Sequence, residues 1–423
     1  MKSVAVASSL RGLFLSGSAA LLIGALPNPA LAQFCPGGTF TNGTCEIGGQ
    51  GAVSTAALSS QALSEATQNV SQTGNDQATR VIRRRLDQER EAAAPATARR
   101  PVVRGDAKDP MVYKAAPVAV QYGPTYAYWA QGWGDYDRWK SGDYAVTRGG
   151  VTLGLLGADP AIAQFTRKTT SFGGLGGADV TFRAWDSVYV FGVLAGYTDA
   201  TVKFSGSSVG RAADNSTISN TKADISGASV GGYMTFASGQ VSADLTVKID
   251  FFDIDQTFNE VLFARATPVN VSGAASTSVT NYNFIGNLNY RVPVSTAFWW
   301  EPTVGIRTTR SDFANSATAL GMADGSIVRL QGGVRVGSMW DGWYGTTVVT
   351  TLTGLVYSDV VVNGLTLASG GVTGGGFAVS PNEQGLVRGQ GILSMNFIHS
   401  ASTSTFIQGD IRGGEGYFGA GGK

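Results

Sequence analysis

From Tyr122 to the end of the chain, long stretches alternate strictly between apolar and polar residues, and no other feature restricts the fold so much. In 241–251, Val241, Ala243, Leu245, Val247, Ile249 and Phe251 fall on one face of an extended chain, and Ser242, Asp244, Thr246, Lys248 and Asp250 on the other. In 281–292, Tyr282, Phe284, Leu288, Tyr290 and Val292 oppose Asn281, Asn283, Asn287, Asn289 and Arg291. In 327–336, Val328, Leu330, Val334 and Val336 oppose Arg329, Gln331 and Arg335. A period of two gives a strand one apolar and one polar face. The strands expected are 122–138, 169–184, 187–203, 222–238, 240–258, 277–292, 295–311, 325–340, 343–358, 383–398, 401–413 and 416–423. Soluble strands average five or six residues; most of these are far longer. A strand crossing a bilayer needs about ten tilted residues and often protrudes.

The connections are unequal in a regular way. Those after odd-numbered strands are long: 139–168, 204–221, 259–276, 312–324 and 359–382. Those after even-numbered strands are short: 185–186, 239, 293–294, 341–342 and 399–400. Only 414–415 breaks the rule. Long loops at one end and tight turns at the other mark a bacterial outer-membrane barrel, with the tight turns in the periplasm. Trp185, Trp299, Trp300, Trp340 and Trp343 lie beside the tight turns, joined by Phe236 and Phe397. At one level of a barrel these form an interfacial aromatic girdle. The fold class expected is all-β, a twelve-stranded antiparallel up-and-down barrel whose last strand is cut short, behind a partly helical N-terminal extension.

Lipid offers charge no partner, so the polar faces point inward. The expected pore lining is Asp179, Arg183, Asp244, Lys248, Asp250, Arg291, Glu301, Arg307, Arg329, Arg335, Arg388, Asp410 and Arg412. These charges pair across the lumen, support a threaded segment, or form an anion-selective ring. Twelve strands leave room for one helix or a narrow water column.

Composition removes other classes. Glycine supplies 58 of 423 residues, about twice the usual share of roughly 7%. Charged residues are 14%, against about 25% in ordinary domains. The 31 basic and 30 acidic residues nearly cancel, which argues against nucleic-acid binding. One histidine and two cysteines leave little material for histidine catalysis or thiolate metal sites, and no cofactor is expected. Gly227–Gly231 and Gly206–Gly210 both match the Gly-x-Ser-x-Gly pattern. That pattern works only at a strand–turn–helix with a histidine partner. Ser229 falls inside a strand and His399 at the opposite end, so no enzyme is expected.

The N-terminus reads as an export signal over 1–32. Lys2 and Arg11 precede the apolar stretch Leu13–Leu26, and Ala30-Leu31-Ala32 fits signal peptidase cleavage after Ala32. Residues 33–51 form a small loop in which Cys35 and Cys45 flank several turn residues, so a local disulfide is expected in an oxidising compartment. A metal site would need further ligands that are not nearby. Residues 52–94 read as helix, with Arg80, Arg83, Arg84 and Arg85 expected as a solvated basic face; contact with anionic headgroups or an acidic pore lining is the sharper alternative. Residues 95–121 are a Pro-rich linker, and 122–423 the barrel.

Three short motifs carry a family resemblance. Trp129-Ala130-Gln131-Gly132-Trp133-Gly134 opens the first strand, Gly176-Gly177-Ala178-Asp179 lies in the second, and Leu194-Ala195-Gly196-Tyr197 in the third. With the strand number, the signal and the extension, the barrel over 122–423 resembles the translocator domain of autotransporters (type V secretion). The resemblance implies a barrel in the outer-membrane bilayer, assembled by the barrel insertion machinery, that carries its own N-terminal segment to the surface with a helix threading the pore. Two departures stand out. Residues 33–121 are too few for a long β-helix. The last strand is cut short and lacks a terminal aromatic, which means either an incomplete sequence or weak barrel closure; an open edge leaves backbone groups unpaired in the bilayer, so an incomplete sequence is expected. The alternatives are a passive pore plugged by 52–94 and a surface adhesin acting through the long loops. The residues do not specify a ligand.

Overall fold

The computed structural model describes residues 38–41, 44–47, 56–93, 123–140, 144–145, 147–148, 151–152, 162–184, 187–209, 217–264, 267–295, 297–319, 322–342, 346–366, 377–378, 386–400 and 403–423. The expected signal peptide, its cleavage site, Cys35, the Pro-rich linker, Trp185 and Trp343 lie outside the described residues. Cys45 lies in a short hairpin, Gly38–Thr41 with Thr44–Ile47.

Among the described residues, twelve antiparallel strands close into one barrel: β1 (Thr125–Lys140), β2 (Ile162–Ala184), β3 (Ser187–Val209), β4 (Thr217–Ser238), β5 (Val241–Ala264), β6 (Thr267–Tyr290), β7 (Phe298–Phe313), β8 (Met322–Asp341), β9 (Thr347–Thr366), β10 (Val387–Ile398), β11 (Ser404–Gly414) and β12 (Tyr417–Gly422). Each strand pairs with its neighbours in sequence. The seam is β12, which pairs with β11 on one side and β1 on the other, from Tyr417↔Trp139 to Gly422↔Gly134. The weak closure weighed for the short last strand is not seen: six residues suffice to bridge β11 and β1.

The turn β4–β5 shows how the tight end is built. Ser238 pairs with Val241, and Gly239 has φ +55°. A two-residue hairpin that follows the strand twist needs positive φ, which glycine adopts without steric penalty. At the other end the strands run further than expected. The connection expected over 259–276 shrinks to 265–266, because β5 and β6 stay paired out to Ala264↔Thr267.

Polarity explains those extensions. Along 241–251 the even-numbered polar residues are buried inside and the odd-numbered apolar ones face out. Beyond Phe251 the assignment inverts: Phe252 and Ile254 are buried while Asp253 and Asp255 are exposed. Lys222 and Asp224 on β4 are likewise exposed and paired at 2.6 Å. The outer face is thus an apolar belt, including Val193, Tyr197, Val247, Phe284, Leu352, Val356 and Ile411, topped by a polar collar. About ten residues of belt per strand match the bilayer requirement.

One long helix among the described residues, α1 (Ala56–Ala93), fills much of the interior. Its 38 residues span about 57 Å at 1.5 Å per residue. A second, one-turn helix, α2 (Asn315–Ala319), lies between β7 and β8. Inside the collar, Leu63, Ala66 and Val70 of α1 form an apolar core with Ala200, Val202, Ala223, Ile225, Phe252, Ile254, Val279, Ala317 and Met322. Among the described residues no helix is long and apolar enough to cross a membrane, and strands are not covered by that statement.

Candidate functional site in the barrel lumen

Helix α1 carries a thin apolar stripe of Leu63, Ala66, Val70, Ala78 and Ile82, but most of its buried surface is polar: Thr67, Gln68, Ser71, Gln72, Asn75, Gln77 and Thr79 are all buried. So narrow a stripe leaves the rest of the helix surface in need of polar partners. Here the polar strand faces supply the partners.

At mid-height the partner is a carboxylate. Asp250 accepts from Ser71 at 2.5 Å, Ser229 at 2.6 Å and Asn283 at 2.8 Å, and pairs with Lys248 at 2.8 Å. Asn75 donates to Asn283 at 2.7 Å. Gly74 lies against Lys248, and a Cβ there would meet Nζ at 2.8 Å. Glycine in a helix costs about 1 kcal/mol relative to alanine; here it leaves room for the Lys248 ammonium.

Charge takes over toward the tight-turn end. Arg80 pairs with Asp410 at 2.7 Å, and Arg85 donates twice to Asp179, at 3.1 and 3.0 Å. Asp76 pairs with Arg307, Glu89 with Arg183, and Asp87 with both Arg335 and Arg291. Arg291 and Arg335 also reach Glu301, at 3.4 Å each. Arg90 donates to the backbone oxygen of Val241 at 2.9 Å, beside the β4–β5 turn. The basic cluster expected as a solvated face is therefore enclosed by the barrel wall, the acidic lining among its partners. Helix direction follows: its N-terminal half sits in the collar and its C-terminal end at the tight turns.

All thirteen residues expected along the pore face inward or are partly buried there. Lys248 is 1% exposed, Asp250 fully buried, and Arg183 and Arg291 half-buried. Arg329, Arg388 and Arg412 are bound within the wall instead of to the helix. Arg329 pairs with Asp359 at 2.7 Å, Arg388 with Asp359 at 3.5 Å, and Arg412 with Asp135. Asp244 accepts from Asn287 at 2.7 Å. Sequence reasoning missed the acids that complete these pairs: Asp76, Asp87, Glu89, Asp135 and Asp359. For Asp76, Asp87 and Glu89 the signal was available in the acids that flank the arginines between Asp76 and Arg90.

The aromatic girdle needs correction at one residue. Trp300 and Trp340 are exposed on the outer face, and Phe236 and Phe397 are half-buried there, Phe236 beside Tyr189 at 5.1 Å. Trp299 is 8% exposed and points inward, with the Arg291 guanidinium 4.0 Å and that of Arg335 4.8 Å from its ring. Alternation dictates this, since Trp299 shares its face with Glu301. Inner rings lie flat over cross-strand glycines. A Cβ on Gly337 would come within 2.2 Å of Trp299, and one on Gly192 within 2.2 Å of Tyr233. Tyr233 in turn donates to Asp179 at 2.8 Å and accepts from Trp129 at 2.9 Å.

The helix packs chiefly on β3–β5. On the other side a cavity of about 70 Å³ remains, lined by Arg80, Arg83, Arg84, Arg307, Arg335, Thr351, Gln390 and Asn396 among others. Ser229 is buried in β4 and bonded to Asp250, while the exposed His399 contacts Thr405 at 2.9 Å. The two do not meet. Among the described residues no three His, Cys, Asp or Glu side chains cluster to hold a metal ion.

No protein-family model matches the chain, and no curated protein matches it. Several solved structures resemble it. The β domain of the Bordetella autotransporter BrkA is 14% identical over 69% of this chain and 98% of that one, with TM-score 0.40. The transport unit of the autotransporter AIDA-I from Escherichia coli is 13% identical over 69% and 89%, with TM-score 0.42. The translocator domain of the autotransporter NalP from Neisseria meningitidis is 10% identical over 69% and 85%, with TM-score 0.33.

Proposed function

We propose that this chain is an outer-membrane barrel of the autotransporter type that holds the segment ahead of its lumenal helix at the cell surface. The single observation behind it is the direction of α1. Leu63 and Val70 lie in the collar at the long-connection end, and Arg90 lies at the β4–β5 tight turn. With tight turns in the periplasm, whatever precedes Ala56 leaves the barrel on the outside. The linker 95–121 then joins the periplasmic end of α1 to the periplasmic start of β1. Export by a signal cleaved after Ala32 and delivery through the barrel insertion machinery complete the route.

A tag between Gly49 and Gln50 tests the proposal. Labelling in intact cells is expected. Labelling only after lysis would put the segment in the periplasm and leave a plugged pore as the function. The plugged pore has its own support, because α1 is bonded to the wall along its charged half. Conductance that rises on deletion of 33–94 fits both functions; only the tag separates them.

A further inference from the structure

The cavity beside α1 has a charge excess that the helix–wall pairs leave unanswered. Asp76, Arg80, Arg83, Arg84 and Asp87 all border it. Their spacing of three and four places them on one helix face. Asp76 is matched by Arg307, Asp87 by Arg335 and Arg291, and Arg80 by Asp410. Arg83 donates only to neutral acceptors, Asn289 at 2.6 Å and Thr303 at 3.1 Å. Arg84 lies over the Phe406 ring at 3.1 Å. Among the described residues neither of them makes a contact ion pair, although Asp244 acts on Arg83 and Asp87 on Arg84 from further off. Arg83 Nε, Arg84 Nη2 and Arg307 Nε are buried N–H groups without an acceptor there. A buried charged donor left unmatched is costly. Adjacent like charges on one helix face add to the cost.

We propose that this lumenal cavity is a binding site for a small tetrahedral oxyanion of the phosphate or sulfate class, gripped by Arg83 and Arg84 with Arg307 behind. Guanidinium N–H groups suit such an anion, since they donate in parallel to two oxygens. The size fits: at roughly 10–15 Å³ per water on this measure, 70 Å³ takes a five-atom anion. Neutral donors complete the wall, among them Gln390 and Asn396. The barrel wall separates the site from the acyl region, so the anion is a free one and not a lipid headgroup. The site does not depend on whether the N-terminal segment reaches the surface.

The test is titration of inorganic phosphate into the purified full chain in maltoside micelles free of phospholipid, at constant ionic strength, followed by phosphorus NMR. Saturable binding is expected, with competition by sulfate. The double variant Arg83→Gln/Arg84→Gln is expected to lose affinity by about tenfold or more, the worth of one charge-assisted hydrogen bond. Heat-shifted gel mobility checks that the variant keeps its barrel. If it does not, Arg84→Gln alone replaces it with the same expectation. Absence of saturable binding to the unaltered chain would overturn the proposal, as would equal binding by a folded variant.

Discussion

Asp250 is the most exacting point at which to perturb the helix–barrel contact. Among the described residues it accepts from Ser71 on the helix and from Ser229 and Asn283 on the wall, and it neutralises Lys248. Asp250→Ala removes all of this at once and leaves a cation that is 1% exposed without its carboxylate. Stranding one member of a buried pair costs about 3–5 kcal/mol. Lys248 Nζ lies against Gly74, so the stranded charge acts directly on helix docking. If docking bears the whole loss, its equilibrium constant falls by about two to three and a half powers of ten. Planar-bilayer recording of the full chain reads this as long-lived open states absent from the unaltered protein. The double variant Asp250→Leu/Lys248→Met removes both charges and keeps similar volume. It is expected to recover most of the closed behaviour, because apolar replacement of a buried pair is close to neutral. Unchanged conductance in Asp250→Ala would refute the reasoning. So would a double variant as leaky as the single one, since the loss would then lie in hydrogen bonding or packing.

Three further outcomes are expected. Gly192→Val sets a Cβ against the Tyr233 ring and displaces its hydroxyl from Asp179; overpacking of this kind costs about 1–3 kcal/mol, read as a lower urea midpoint with the slope unchanged. Arg335→Met leaves Asp87 and Glu301 with Arg291 as their shared wall partner, and amide exchange of α1 should rise across 76–90 more than across 63–75. Gly74→Leu drives a side chain into Lys248 and should open the pore as Asp250→Ala does, without changing the pairing of the strands.

The barrel could be read from the sequence because a bilayer imposes one rule on every strand: apolar out, polar in. That rule also held the answer for Trp299, which is two residues from Glu301 and therefore on the inner face. Proximity to a tight turn says nothing about which side of the wall a ring occupies. The collar was missed for a related reason. Phe252 and Ile254 continue the phase of Asp250, so the pattern keeps its period while its polarity reverses where the strands leave the lipid. The helix interior was not legible as such. A segment rich in Gln, Ser, Thr and Arg reads as solvated, because single-chain patterns assume that the inside of a protein is apolar. Here the inside is a polar lumen, and the partners of Arg80 and Arg85 lie hundreds or scores of residues away.

The order of charges along α1 also behaves as a stop. Sliding the helix by four residues, slightly more than one turn, would carry each side chain to its neighbour's station. In one direction Arg80 arrives opposite Arg307 and Glu89 opposite Asp179, replacing Asp76 and Arg85. In the other, Asp76 arrives opposite Asp410, Arg83 opposite Arg291 and Arg335, and Arg85 opposite Arg183. Either step turns attractions into repulsions at low dielectric, where like charges are expensive. The helix therefore has no shallow series of resting places along the axis; it is seated at one height or it is out. For a chain drawn through its own barrel, such a code would end the movement at a fixed residue and so set how much of it stands beyond the rim.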